Sequence, residues 1–321
     1  MKVLITGGSG YFAWELVRQM KQKDGLEIIA VSGDPIKIMT DSNYKGIWIV
    51  SNDEMWSNDN LMRSVDVIIH TAFCRSSNGE QLMKSLQFTR KLFEKAVCCG
   101  VSAIINSSSQ SVFGAEKKSL PAEEELFAPG YLYALAKASS ELLLETIAGK
   151  STTAYTNIRL ASLIGPSKNV PVNVLYKFVE NALDEKEIIV QGGKQNFSFL
   201  DVRDAADAVI RLLALPFMEW KTAYNLGPQR QTNISELAKI AGSYAVQCGR
   251  AAGKVRLRED DTELNAGMDS RRLYKTLNWK PQFSIEDTVA ATGEYIIAKK
   301  EMGGVTSFDF CVTHAGKRRA A

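Results

Sequence analysis

The stretch that most constrains the fold is Met1 to Ala13, Met-Lys-Val-Leu-Ile-Thr-Gly-Gly-Ser-Gly-Tyr-Phe-Ala. Val3 to Ile5 is a short apolar run suited to a buried strand, and Trp14 to Met20 continues with helical spacing. Between them Gly7, Gly8 and Gly10 permit a tight turn in which backbone N–H groups stand clear of side chains. A strand that feeds a helix through such a turn cradles a pyrophosphate, because the helix N-terminus favours negative charge. A small residue at Ala13 lets helix and strand pack closely. Gly7, Gly10, Tyr11 and Phe12 are therefore candidate cofactor contacts.

Strands then keep alternating with helices. Glu27 to Val31, Gly46 to Val50, Asp66 to His70 and Ala103 to Asn106 read as the second to fifth strands, and Gln81 to Cys99 and Tyr131 to Ile147 as helices. This order predicts an α/β fold, a Rossmann-type doubly wound parallel sheet covered on both faces. Ser32 ends the second strand, where an acidic side chain would hold the adenosine ribose; Asp34 can reach the ribose from the loop, while Lys37 would suit a phosphate. NAD is favoured and NADP stays open. Ala72, after the fourth strand, lets the backbone pass close to a ligand. Ser107 to Gly114 follows the fifth strand, at the carboxyl edge where such sheets bind ligands.

Composition removes several function classes. With 321 residues and 45% hydrophobic content the chain has ample material for a core, and a net charge of +3 implies neither a nucleic-acid nor a membrane surface. Five cysteines without metal-ligand spacing and only two histidines, His70 and His314, point to reduced thiols in the cytoplasm and to no metal site. No apolar run approaches a membrane span, and Met1 leads directly into a core strand, so no cleaved signal is expected.

Tyr133 and Lys137 lie four apart, on one face of a helix. A free phenol has a pKa of about 10 and is a poor base at neutral pH, but a neighbouring ammonium stabilises the phenolate. A hydroxyl such as that of Ser109 can orient a substrate oxygen, so the three residues would deprotonate an alcohol while its carbon gives hydride to a nicotinamide.

On these motifs the chain resembles the extended short-chain dehydrogenase/reductases, in their NAD-dependent epimerase/dehydratase branch. Thr6 to Ala13 is similar to the family's phosphate turn, Asp66 to Ala72 to its fourth strand, Ser107 to Gly114 to its Ser-Ser-x-x-Val-Tyr-Gly segment, and Tyr133 to Lys137 to its catalytic helix, with Glu141 at an acidic position one turn on. Ile158 to Pro166, Phe199 to Ala206, Tyr224 to Gly227 and Asp269 to Pro281 continue the likeness through nearly 300 residues.

The resemblance implies that Tyr133 is the acid/base, that Lys137 lowers its pKa and holds the ribose, and that Ser109 binds the reacting oxygen. Ser107 would join the cofactor contacts, and Ser162, Phe197 and Arg258 the substrate contacts. Three positions depart from the family: its diphosphate-binding arginine falls on Phe197, its sixth-strand asparagine on Ser162 and an asparagine of the preceding helix on Ser85. These departures weaken the case for a nucleotide sugar, which Arg258 could still hold. Arg159 reads as a structural partner of buried acids. Gln110 and Ser111 stand where 4,6-dehydratases carry an Asp-Glu pair; neither can perform that proton transfer, which disfavours dehydration.

The expected function is NAD(P)-dependent epimerisation of a sugar hydroxyl, a nucleotide sugar foremost, through a transient ketone. A carbonyl reductase of a smaller substrate is the alternative, and a non-catalytic NAD(P) sensor comes third. Residues 1–160 would form the cofactor domain, with 199–226 returning to it. Residues 161–198 and 227–310 would form a smaller α/β substrate lobe, and 311–321 a basic tail. The helices Gln81 to Cys99 and Tyr131 to Ile147 would pair across a two-fold axis in a homodimer.

Overall fold

The computed structural model describes residues 1–114, 119–168, 173–251, 253–260 and 264–301. The expected tail, 311–321, lies outside the described residues. The strands are β1 Lys2–Thr6, β2 Glu27–Ser32, β3 Trp48–Ser51, β4 Val67–His70, β5 Ala103–Ser109, β6 Ala154–Leu160, β7 Ser162–Ile164, β8 Ile188–Gln191, β9 Asn196–Phe197, β10 Phe199–Asp201, β11 Ala223–Leu226, β12 Thr232–Asn233, β13 Val255–Arg258 and β14 Asn265–Ala266. The helices are α1 Tyr11–Met20, α2 Ile36–Met39, α3 Asn52–Ser57, α4 Asp59–Arg63, α5 Gly79–Cys99, α6 Leu132–Ala148, α7 Val174–Leu183, α8 Val202–Leu212, α9 Ile234–Gln247, α10 Arg271–Leu277 and α11 Ile285–Glu301.

Seven strands form one parallel sheet in the order β11-β6-β5-β4-β1-β2-β3. Successive side chains along a strand point to opposite faces, and here both faces are apolar. Val3, Ile5, Val67, Ile69, Ala103 and Ile105 enter one core with α1 and α8. Leu4, Ile68 and Ile104 enter the other, with Leu92, Phe93 and Ala96 of α5 and Leu144 of α6. That two-sided burial is why the strands read as unbroken hydrophobic runs. β5 continues to Ser109, beyond the expected Asn106, because β6 pairs with it along the whole length.

The strand order reverses between β1 and β4, and the crevice at such a switch point is where doubly wound sheets bind ligands. The turn after β1 and the segment after β4 therefore face each other across it. The remaining strands form small ribbons: β7 with β10, β8 with β13, and β9 between β12 and β14. Helices α7, α9 and α11 pack together beside them. Among the described residues no helix is long and apolar enough to cross a membrane, and no group of three or more His, Cys, Asp or Glu is arranged to hold a metal ion.

Candidate active site

Gly7 has φ of +71°, and a Cβ there would come within 2.9 Å of the Cα and N of Ala72. Only glycine meets both demands, so the β1–α1 turn and the β4 segment approach backbone to backbone. The Gly10 amide donates to the Gly7 carbonyl at 2.7 Å and the Gly8 amide to Val31 at 2.8 Å, which ties the turn to β2. Gly10 precedes α1, and no side chain caps that helix. The first-turn amides of Tyr11 and Phe12 thus have no intrahelical acceptor and no cap. Their side chains are used elsewhere: the Tyr11 hydroxyl donates to the Gly165 carbonyl at 2.9 Å, and Phe12 is buried. A pyrophosphate fits this cradle, which any larger residue at Gly7 would fill.

Behind the cradle a hydrogen-bonded chain joins the end of β1, the end of β4 and α5. The Thr6 hydroxyl accepts from the amides of Thr71 (3.2 Å) and Ala72 (3.3 Å), and the Thr71 hydroxyl donates to the Thr6 carbonyl at 2.6 Å. With two amides donating to it, the Thr6 hydroxyl gives its own proton to His70 Nδ1, 2.8 Å away. That leaves His70 Nε2 protonated, donating at 2.9 Å to Thr89 Oγ1, which donates in turn to the Ser85 carbonyl. Burial, reinforced by the Lys137 charge, pushes the His70 pKa down to about 3.

A histidine kept neutral in the fold and titrating near 6.5 when unfolded stabilises fully above pH 6.5, and that contribution is lost as pH falls towards 3. The loss over the window is on the order of 5 kcal/mol. Denaturant unfolding across it is expected to show a shallower pH dependence for His70→Phe than for the parent. Equal slopes would remove His70 from the acid response.

At the end of β2, Ser32 is buried; its hydroxyl donates to the Asp34 carbonyl (2.9 Å) and accepts from the Asp34 amide (3.2 Å). Its proton is therefore committed within the turn. Asp34 is exposed, and among the described residues its carboxylate accepts only a long 3.4 Å bond from the Lys37 amide. Of the two expected ribose contacts, Asp34 is the one with acceptor capacity to spare.

Tyr133 and Lys137 share one face of α6, beneath the carboxyl edge of β5. Lys137 is 5% exposed; its Nζ donates to the Ser107 carbonyl at 2.7 Å and lies 4.0 Å from the centre of the Phe73 ring. Burial lowers its pKa to about 7, against the opposing pull of Glu141. The Phe73 ring meets Tyr133 edge-on at 6.3 Å, and Tyr131 stacks on Tyr133 from another side at 6.3 Å. Ser109 caps the 3-10 turn Gln110–Phe113, accepting from the Ser111 amide at 3.2 Å.

The expected lowering of the Tyr133 phenol by Lys137 is corrected here. Burial pushes that phenol up to about 12; the cation that opposes the rise is Arg75, while Tyr131 and Cys74 add to it. Lys137, bonded to Ser107 and covered by Phe73, stands with its Nζ 5.9 Å from the centre of the Tyr133 ring. Arg75 is exposed and carries no ion pair among the described residues.

One turn beyond Lys137, Glu141 receives the Arg159 guanidinium at 2.8 to 3.1 Å and the Ser108 hydroxyl. Arg159 also donates to the Glu123 carbonyl at 2.9 Å and lies 4.9 Å from the ring centres of Phe113 and Phe127. It is the structural partner of a buried acid, as its sequence context suggests.

The three expected substrate contacts sit on the ribbons. Ser162 opens β7 and accepts from Gln110 Nε2 at 3.1 Å. Phe197 lies on β9, half-buried against Phe199 with ring centres 5.3 Å apart. Arg258 ends β13 and is exposed. Phe73, Arg75 and Gln110 are the site neighbours whose contacts no motif announces.

Comparison with known proteins agrees with this architecture. The chain is 24% identical over 324 residues to a low-salt glycan biosynthesis protein of Haloferax volcanii, covering 94% of this chain and all of that one. It is 23% identical to a dTDP-glucose 4,6-dehydratase of Streptomyces niveus, over 92% of each. Among solved structures, UDP-glucuronic acid 4-epimerase of Bacillus cereus superposes with a TM-score of 0.80 at 19% identity, over 94% of this chain and 100% of that one. The model of the NAD dependent epimerase/dehydratase family matches residues 3–227, so this chain belongs to that family.

Proposed function

We propose that this protein is an NAD-dependent enzyme that oxidises and re-reduces a hydroxyl of a nucleotide-linked sugar, inverting its configuration. The observation that carries the reading is the junction of β5 with α6. There the Lys137 ammonium is held on the Ser107 carbonyl with Tyr133 four residues before it, at β5 of the same parallel sheet whose β1 ends in the glycine turn. In this reading the amides of Gly10, Tyr11 and Phe12 hold the pyrophosphate. Asp34, with Ser32 behind it, holds the adenosine ribose, Ala72 and Ser107 border the dinucleotide, and Lys137 holds the nicotinamide ribose. Bound NAD supplies the hydride acceptor and, on return, the donor.

Ser109 orients the reacting oxygen, and Tyr133 Oη takes that oxygen's proton as the carbonyl forms and gives it back as the carbonyl is reduced. A phenol raised to about 12 is protonated at neutral pH and suited to donating. Acting as base it needs positive charge close by, and Arg75 is the protein's own source. Relatives named as epimerases and as dehydratases both match, and they lend no support to setting dehydration aside. That distinction rests on Gln110 and Ser111 alone.

A second reading, a reductase of a smaller ketone, is favoured by one feature. Phe197 occupies the place of a diphosphate-binding arginine and packs on Phe199, leaving Arg258 as the remaining candidate for that charge. We assign residues 1–160 and 199–226 to the cofactor half and the ribbons to the substrate half. We also assign a homodimer through α5 and α6, whose Met83, Leu132, Leu135 and Leu142 are exposed.

Gel filtration with NAD, followed by a thermal-shift screen of UDP-, GDP- and dTDP-sugars, tests the set. The expected result is NAD eluting with a dimer, a shift by one sugar class, and turnover without net formation of reduced nicotinamide. Net cofactor consumption with a ketone would transfer the assignment to the reductase.

A further inference from the structure

Phe73 stands one residue beyond Ala72, whose backbone meets Gly7 at the glycine turn. It lies between β4 and α5 in a stretch without regular secondary structure, where its amide donates to the Thr71 carbonyl at 2.9 Å. The side chain is half-buried and belongs to neither of the two apolar cores. Its ring turns instead to two residues of α6. The ring centre is 4.0 Å from Lys137 Nζ, and the ring meets Tyr133 edge-on at 6.3 Å.

A lysine carries three donors. One N–H of Lys137 is on the Ser107 carbonyl at 2.7 Å while the Phe73 face covers the ammonium, and the residue is 5% exposed. A ribose hydroxyl that takes a Lys137 N–H needs an open approach to Nζ. With the pyrophosphate on the glycine turn and the nicotinamide ribose on Lys137, the dinucleotide has to cross the interval that Phe73 spans, from Ala72 at one end to Lys137 at the other. A ring held by one cation and one edge contact, on a loop outside both cores, can change rotamer without disturbing the sheet.

We propose that Phe73 is an intramolecular competitor of the nicotinamide ribose: ring and ribose exclude each other on Lys137, and the chain binds the whole dinucleotide only with the ring swung aside. The proposal rests on the placement of that ribose on Lys137 in the reading above. The apparent affinity for NAD is then lowered by the fraction of chains whose ring is aside. Contacts with the adenosine and the pyrophosphate, at Asp34 and the glycine turn, do not feel the competition.

The test measures binding of NAD, ADP-ribose and ADP by calorimetry to the parent, Phe73→Ala, Phe73→Leu and Phe73→Ala/Lys137→Met. ADP-ribose keeps the second ribose without the nicotinamide, and ADP has neither. Phe73→Ala is expected to bind NAD and ADP-ribose ~10-fold more tightly than the parent, the scale of a desolvated cation–π contact, and ADP equally. Phe73→Leu keeps an apolar side chain without a ring face; it shifts binding the same way and guards against a folding defect in the alanine variant. Equal or weaker binding of NAD by both Phe73 variants overturns the proposal. So does a gain shared by ADP, which would be a general loosening.

Acetylation of Lys137 across pH, followed by mass spectrometry, reads the protein alone. The midpoint is expected at about 7 in the parent and higher in Phe73→Ala, because water then reaches the ammonium. An unchanged midpoint would mean that the ring is not the cover, and overturns the proposal. The double variant separates the competition from the reading beneath it. If Phe73→Ala and Phe73→Ala/Lys137→Met bind NAD alike, the ribose does not lie on Lys137 and both fall. If NAD binding drops in the double variant but is unmoved by the Phe73 changes, the ribose stays on Lys137 and the competition alone is overturned.

Discussion

Replacing Tyr133 by phenylalanine lowers turnover by about 10³-fold, the scale of losing a positioned acid/base, while NAD affinity changes little. The substitution removes one hydroxyl and keeps the ring, so the contacts with Phe73 and Tyr131 survive. The Lys137 bond to Ser107 does not involve the phenol, and the cradle at Gly7 is built against Ala72 without it. Binding and chemistry therefore separate: stopped turnover with intact NAD binding is the signature expected. Parent-like turnover in Tyr133→Phe would move the proton transfer to another group. The same burial that raises the phenol also places Arg75 in the account. Arg75→Ala is expected to displace the alkaline limb of the rate profile upward, because the cation that eases ionisation of Tyr133 is gone.

Glu141→Ala destabilises the protein by about 3–5 kcal/mol, the cost of leaving one member of a buried pair alone. Side chains of both partners are 5% exposed or less, and Arg159 sits between two aromatic rings where water cannot replace the carboxylate. Ser108 loses its acceptor at the same time. The double variant Glu141→Ala/Arg159→Met is expected to recover part of that loss, because an apolar chain between Phe113 and Phe127 needs no counter-charge. Denaturant unfolding of the three variants measures it. Additive losses would mean that the two residues do not act as a pair.

Much of this arrangement is legible in the chain, and the limits have physical causes. The cradle announces itself because glycine at positive φ and an apolar run before a helix are local properties. Tyr133 and Lys137 fall on one face by helical spacing, and Arg159 finds its acid as expected. β3 is displaced by two residues at its start, from Gly46 to Trp48, because Gly46 adopts φ of +81° in the turn before it. The sign of the Tyr133 shift was not legible: spacing reports which residues are neighbours, whereas desolvation depends on everything packed around them. The His70 chain escaped for a similar reason. Thr6, His70 and Thr89 are far apart in sequence, and only β1 pairing with β4, and α5 crossing behind them, joins their hydroxyls to the ring. In the sequence Gln110 reads only as the absence of an acid, and its buried oxygen without a partner shows only once β7 lies against it.

The contrast between the seven-stranded sheet and the short ribbons has an evolutionary consequence. Gly7, Ser107 and Lys137 are anchored to a ladder whose every strand is braced by neighbours, so change there is costly for the whole molecule. Ser162, Phe197 and Arg258 hang on pairings of two to four residues. Descendants of such a chain can swap side chains on the ribbons while inheriting the sheet and its glycine turn unaltered.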